Sequence, residues 1–244
     1  MNRRYSTLIA GGGLTALLVL PSLGFAQSLG SAANFAVLAG STVTNTGPSI
    51  IIGSVGVSPG TSITGIPAGQ PNPGSIHSND AVAMLAQSDL TIAYTSLAGM
   101  VCGTNLTGQD LGGQTLAPGV YCFNTSAQLT GTLTLDGQGN ASSVFVIQMG
   151  STLTTAANAA LNLIGAAQVA NVYWLVGSSA TLGTGTALGG NIVAQASITL
   201  TTGVSLTGRA LARDGAVTMD TNTVGGGPVA TRESTWSMTK LLYR

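Results

Sequence analysis

Between Ser151 and Val224 the chain repeats one short pattern of apolar and hydroxyl-bearing residues. It reads "STLTTAANAAL" from Ser151, "ATLGTGTALGG" from Ala180, "ITLTTGVSLTG" from Ile198 and "VTMDTNTVGGG" from Val217. Alternation at period two sends Thr199 and Thr201 to one side of a strand and Leu200 to the other. The copies start 29, 18 and 19 residues apart, with the longer interval containing the insertion "NLIGAAQVAN". Near-equal intervals of this size mark stacked coils. Weaker copies lie upstream, "AQLTGTLTL" from Ala127 and "STVTN" from Ser41.

A second apolar element precedes each copy: "FAVLA" (35–39), "VFVIQ" (144–148), "VYWLV" (172–176), "NIVAQ" (191–195) and "RALAR" (209–213). About 18 residues per coil accommodate three short strands with tight corners, each pairing with its counterpart in the next coil. The pattern therefore predicts a mainly β chain, a parallel β-solenoid of triangular section. Leu133, Leu153, Leu182, Leu200 and Met219 are placed on one internal ladder, with Ile192, Ala194, Ala210 and Ala212 on another wall. Val146, Trp174, Val193 and Leu211 align outward as an apolar stripe that needs a cover. The helix predicted near 79–99 supplies one. It has cap candidates Ser78 and Asn79, stops at Gly99, and places Val82, Leu85, Ala86, Leu90, Ala93 and Leu97 on one broad side.

Composition narrows the function. Charged residues are 6% of the 244, which gives no basic stripe for nucleic acid. Arg3-Arg4, the apolar run Leu8 to Leu20 and the small residues Gly24 and Ala26 read as a signal peptide over 1–26, with an exported domain over 27–227 and a tail over 228–244. The short run broken by Pro21 is not a membrane span. After cleavage five basic residues face seven acidic ones, and charge names no partner. Cys102 and Cys122 in an exported chain suggest one disulfide; free thiols and a metal site are the alternatives, and His77 is the single histidine. No metal or other cofactor is expected.

The segment from Leu29 to Val224, including "LGSAANFAVLAGSTVTNTGPSIIIGSVGVSPG", the helix after "IHSNDA" and the four repeat copies, closely resembles the microbial ice-binding protein family. The resemblance implies a discontinuous right-handed β-solenoid with a long helix alongside, and N-terminal strands stacked on the C-terminal coil, so that "STVTN" lies beside "VTMDT". It also implies an ice-contacting motif of Thr, Ala or Gly, any residue, then Thr or Asn. Thr155 to Asn158 fits it; Thr184-Gly185-Thr186-Ala187, Thr202-Gly203-Val204-Ser205 and Thr221-Asn222-Thr223-Val224 are partial matches.

Ice is an ordered array, and a sheet offers one in return: side chains repeat at about 4.8 Å between strands and about 6.6 Å along them. Threonine is stiff at χ1 and carries both a methyl and a hydroxyl. The expected ice-facing set is therefore Thr42, Thr44, Thr152, Thr154, Thr181, Thr199, Thr201 and Thr218, joined by Thr155, Asn158, Thr184, Thr186, Thr202, Ser205, Thr221 and Thr223. The reading is a secreted, monomeric ice-binding protein whose partner is the ice surface. The alternative is an adhesin or matrix solenoid used as a rigid spacer. A carbohydrate-cleaving solenoid needs converging carboxylates, whereas the acids here are scattered, with Asp214 and Asp220 the one close pair within the repeats. His77 reads as a capping or packing residue, and the chain as a non-enzyme.

Overall fold

The computed structural model describes residues 28–226. The leader expected over 1–26 and the tail over 228–244 lie outside the described residues. Three walls of parallel strands enclose one apolar core. The first wall runs Ile76–Ser78, Ser54–Val57, Phe35–Ala39, Ser205–Ala212, Ala187–Ala194, Val172–Val176, Phe145–Met149, Gly119–Phe123, Thr104–Asn105. The second has seven strands, Ala127–Leu129, Leu153–Thr155, Ala180–Leu182, Ile198–Leu200, Val217–Asp220, Thr42–Thr46 and Ser62–Thr64. The third is built from Thr115–Leu116, Thr132–Asp136, Ala160–Ile164, the first halves of the two eight-residue strands, Thr223–Gly225 and Ile50–Ile52.

The coils do not follow chain order throughout. Val37 pairs with Ala210 and Thr44 with Thr218, so the N-terminal segment stacks on the last coil and closes that end, as the resemblance implies. The chain must then travel from Ile76–Ser78 at one edge to Thr104–Asn105 at the other, eight strand spacings or about 38 Å. The helix Ala81–Ala98 spans about 27 Å of this at 1.5 Å per residue, and the link to Thr104 covers the remainder.

Asp80 is the N-cap, its side chain accepting from the Ala83 N–H at 2.9 Å. That bond and the neighbouring His77 hold its carboxyl below the usual value. The cap is thus Asp80 and neither Ser78 nor Asn79, while His77 meets the other Asp80 oxygen at 2.8 Å and stands edge-on to Phe35, the packing one of the two roles expected of it. The helix buries Ala83, Ala86, Leu90, Ala93 and Leu97, while Val82 and Leu85 are 49% and 58% exposed and do not share the buried side as predicted. Alanines at the contact let the helix approach the wall closely. Gln148 donates to the carbonyls of Leu97 (2.7 Å) and Met100 (3.1 Å), tying the helix C-terminus to the wall beneath. The helix also supplies Asp89, which accepts from both the N–H and the hydroxyl of Ser31 at 2.7 Å. These bonds lower its carboxyl pKa and anchor the entering chain.

The apolar stripe is present, with one exchange. Val146, Val193 and Leu211 are buried against the helix side with Leu38, Tyr173 and Leu175, but Trp174 points inward. The register pairs Ile147 with Trp174, Ile192 and Ala210, all internal. Trp174 Nε1 donates to the Gly189 carbonyl at 2.9 Å. Two members of the predicted ladder also move: Leu133 is internal but belongs to the third wall, and Leu153 stacks on Ala180 rather than Leu182.

One edge of the third wall is covered by chain rather than left free. The segment 65–75 covers Ile50–Ile52: Gln70 Oε1 accepts from the Ile51 N–H, and the Ile51 carbonyl accepts from Asn72. Pro67, Pro71 and Pro73 in that segment bring no N–H to a further strand. At the other end of the stack Cys102 and Cys122 form a disulfide across 20 residues of sequence. Closing a loop of that size contributes about 3 kcal/mol in the chain-entropy model. Reduction under native conditions is therefore expected to lower the unfolding midpoint in urea with the slope little changed; an unaltered midpoint would show that the loop is held by its hydrogen bonds alone.

Candidate functional site

The second wall places threonine on a lattice. Its central outward row pairs Thr64 with Thr44, Thr44 with Thr218, Thr218 with Thr199, Thr199 with Thr181 and Thr181 with Thr154, and ends at Gln128. The cause is local: around Thr181, Thr199 and Thr218 the strand is an apolar-Thr-apolar unit whose two apolar neighbours point into the core, while Thr44, Thr64 and Thr154 have one apolar neighbour each, followed by Asn45, Gly65 and Thr155. All of this row is exposed except Thr199, which is half-buried. Among the described residues, none of these six threonine hydroxyls bonds to another protein group. They are left to water.

Continuing the register two residues back along each strand gives a row of Ser126, Thr152, Ser179, Ser197, Ala216, Thr42 and Ser62, all small and uncharged. Two residues forward lie Thr130, Ala156, Gly183, Thr201, Asp220 and Thr46. Here the pattern is less regular. Thr201 is half-buried and its hydroxyl donates to the Leu182 carbonyl at 2.7 Å. Asp220, the single charged residue in the three rows, accepts the hydroxyls of Thr202 and Thr221.

The predicted site residues thus separate into four groups. Thr44, Thr154, Thr181, Thr199 and Thr218 share the central row, with Thr42, Thr152 and Thr201 in the rows flanking it. Thr155 and Thr186 are buried, and their hydroxyls bond each other at 2.7 Å. Thr155 also accepts from the Gly183 N–H, and Thr186 donates to the Ala156 carbonyl, so the pair satisfies itself inside and presents nothing outward. For these two the expectation of surface contact is corrected. Asn158 and Thr221 hold left-handed corner positions, φ 57° and 54°, which Gly185 and Gly203 fill in the coils between. Thr184 and Thr202 stand at the same corner, exposed, and Thr184 approaches Thr201 at 3.5 Å. Ser205 and Thr223 begin strands of the third wall and pair with each other there.

Sequence reasoning missed Thr64, Thr46 and Thr130. The signal was available: Ser62-Ile63-Thr64 repeats the polar-apolar-Thr order of Thr42-Val43-Thr44.

The other two walls are unsuited to a flat contact. The first lies under the helix. The third is crossed by the insertion, whose short 3-10 turn Val169–Asn171 sits over Gly189: a Cβ there would meet Val169 at 2.8 Å and Leu161 at 3.2 Å. Among the described residues the walls also bring no acidic pair together; Asp214 is held by Gln195 at one corner and Asp220 by threonines at another. Among the described residues no three His, Cys, Asp or Glu side chains gather into a metal site, and no helix is long and apolar enough to cross a membrane.

These features define a class: a parallel β-solenoid with one wall covered by a helix, one crossed by an insertion and one left as an open, nearly charge-free threonine lattice. Residues 37–225 match the model of the family described as Ice-binding-like, and the chain belongs to that family. It is 52% identical over 225 residues to an ice-binding protein of Nostoc sp. (strain HG1), covering 92% of this chain and 83% of that one. Among solved structures, an ice-binding protein of the Antarctic ascomycete Antarctomyces psychrotrophicus superimposes with a TM-score of 0.76 at 40% identity, covering 84% and 98% of the two chains. An ice-binding protein from an Antarctic biological consortium gives 0.76 at 48% identity, with 81% and 90% covered.

Proposed function

We propose that this protein adsorbs to ice through the threonine wall and so restrains crystal growth and recrystallisation. The observation that carries the reading is the central row: six register-matched threonines on a rigid sheet, with hydroxyls that no protein group occupies. Stacking at about 4.8 Å fixes one repeat and alternation along the strand the other. Methyls and hydroxyls held at such nodes order the adjoining water without the entropy loss that longer side chains incur. The relatives named above, described as ice-binding proteins, support the same reading.

Export fits it as well, since the basic start, apolar run and small residues of 1–26 have the form of a secretory leader and the disulfide suits an oxidising compartment. The Pro-bearing segment over Ile50–Ile52 favours a monomer. Membership of the ice-binding-like family, together with the scattered carboxylates among the described residues, supports adsorption over catalysis. A single ice crystal grown slowly from a solution of the mature protein is expected to take the protein into the ice. Exclusion into the remaining liquid would overturn the reading in favour of a spacer or adhesin.

A further inference from the structure

Arg209 is 6% exposed, and among the described residues no carboxylate pairs with it. Its Nε donates to the Ala33 carbonyl at 2.9 Å and one Nη to Asn191 Oδ1 at 2.8 Å, both neutral acceptors. Its remaining N–H groups have no protein acceptor among the described residues. The nearby Tyr173 phenol, pushed up to about 12 by burial, stays neutral and is no counter-ion. Among the described residues the one ion pair is that of His77 with Asp80. The guanidinium is not sealed in: among the described residues the buried side-chain nitrogen without a partner is Arg213 Nε, so the unbonded Nη of Arg209 keeps an open side.

Arg209 also lines an open recess of about 60 Å³ where the third wall turns into the helix-covered one. Gly53, Gly208, Gly225 and Gly226 form much of its lining and bare backbone to it, and no acidic side chain contributes. That volume admits a few waters or one anion of three or four non-hydrogen atoms. The guanidinium fork matches a planar oxyanion in shape and hydrogen bonding. We propose that this corner binds a small planar oxyanion of the formate or bicarbonate class, with Arg209 as its cationic partner. Anion binding here would hold the start of the first strand, through Ala33, against the last coil, and so stabilise the closure between the N- and C-terminal coils.

The test uses the full mature chain and sodium formate as the probe, with equal concentrations of a bulky sulfonate as the salt control. Formate should raise the unfolding midpoint saturably, by roughly 5 °C or more at a hundredfold excess over Kd. In the unsubstituted protein the amide resonances of Gly208 and Gly225 should shift along the same saturation curve, a readout that requires no variant to fold. Arg209→Lys keeps charge without the fork and should weaken formate at least tenfold; Arg209→Met should abolish the effect. The proposal fails if formate and sulfonate act alike, if the shifting amides lie elsewhere, or if Arg209→Met responds as the parent does.

Discussion

Thr199→Tyr is expected to abolish most of the ice activity while leaving the fold intact. Thr199 lies inside the central row, between Thr181 and Thr218, on a wall whose strands are fixed by parallel pairing on both sides. A tyrosine there stands several ångströms above its neighbours, and the sheet cannot bend to reseat around it. Contacts on both sides of the knob are lost together, and a loss of about 1.4 kcal/mol of adsorption free energy already means tenfold weaker binding. Stability should move by no more than about 0.5 kcal/mol, because the side chain leaves the core and breaks no bond to protein. The measurement is thermal hysteresis and recrystallisation inhibition beside an unfolding curve. Thr207→Tyr, exposed on the third wall, is the comparison and should retain full activity. If Thr207→Tyr loses activity and Thr199→Tyr keeps it, the ice contact lies on the third wall with Ser205 and Thr223.

How much could be read from sequence depends on how each wall is solvated. The second wall was legible because one side is wet and the other dry. Thr181, Thr199 and Thr218 alternate with Ala180, Leu182, Ile198, Leu200, Val217 and Met219, and the same register emerges from sequence and from pairing. The first wall hid its register because it is dry on both sides. All five residues of Val172–Val176 are buried, so the run contains no polar mark to show which side is which. A slip of one residue reverses the faces, and that slip puts Trp174 on the stripe in place of Tyr173 and Leu175. The coil lengthened by the insertion misled differently. Aligning Ser151 with Ala180 differs by two residues from the pairing of Leu153 with Ala180. The shift leaves Thr154 facing outward but turns Thr155 from a corner residue into an internal one, opposite Leu182. Thr186 was illegible for another reason: in the next coils its place is taken by Val204 and Asn222, so neither polarity nor size repeats there. The end-to-end stacking of Thr44 on Thr218 was implied by resemblance and not by period, since no repeat spacing connects residues so distant in the chain.

The side of the helix that meets the wall is where sequence and structure disagree most sharply, and Leu211→Asp against Leu85→Asp decides it. Leu211 is fully buried, in the cluster that Leu38, Val193, Ala86, Leu90 and Ala93 form between wall and helix. A carboxylate there has no cation to pair with in that cluster and no water. Leaving one charge buried and unpaired costs about 3–5 kcal/mol, and the lost leucine packing adds to it. A domain of this size has about 5–15 kcal/mol in total, so the midpoint should fall by roughly 10 °C or the protein should fail to fold at all. Leu85 was predicted to share the helix's buried side, yet it is 58% exposed, and its aspartate should change stability by no more than about 0.5 kcal/mol. Both substitutions add the same charge to the same first wall and its cover, so net charge cannot explain a difference between them. Thermal unfolding of the pair gives the answer: a large drop for Leu211→Asp with none for Leu85→Asp fits the packing described, and equal drops would mean that the helix is turned so that Leu85 also faces the wall.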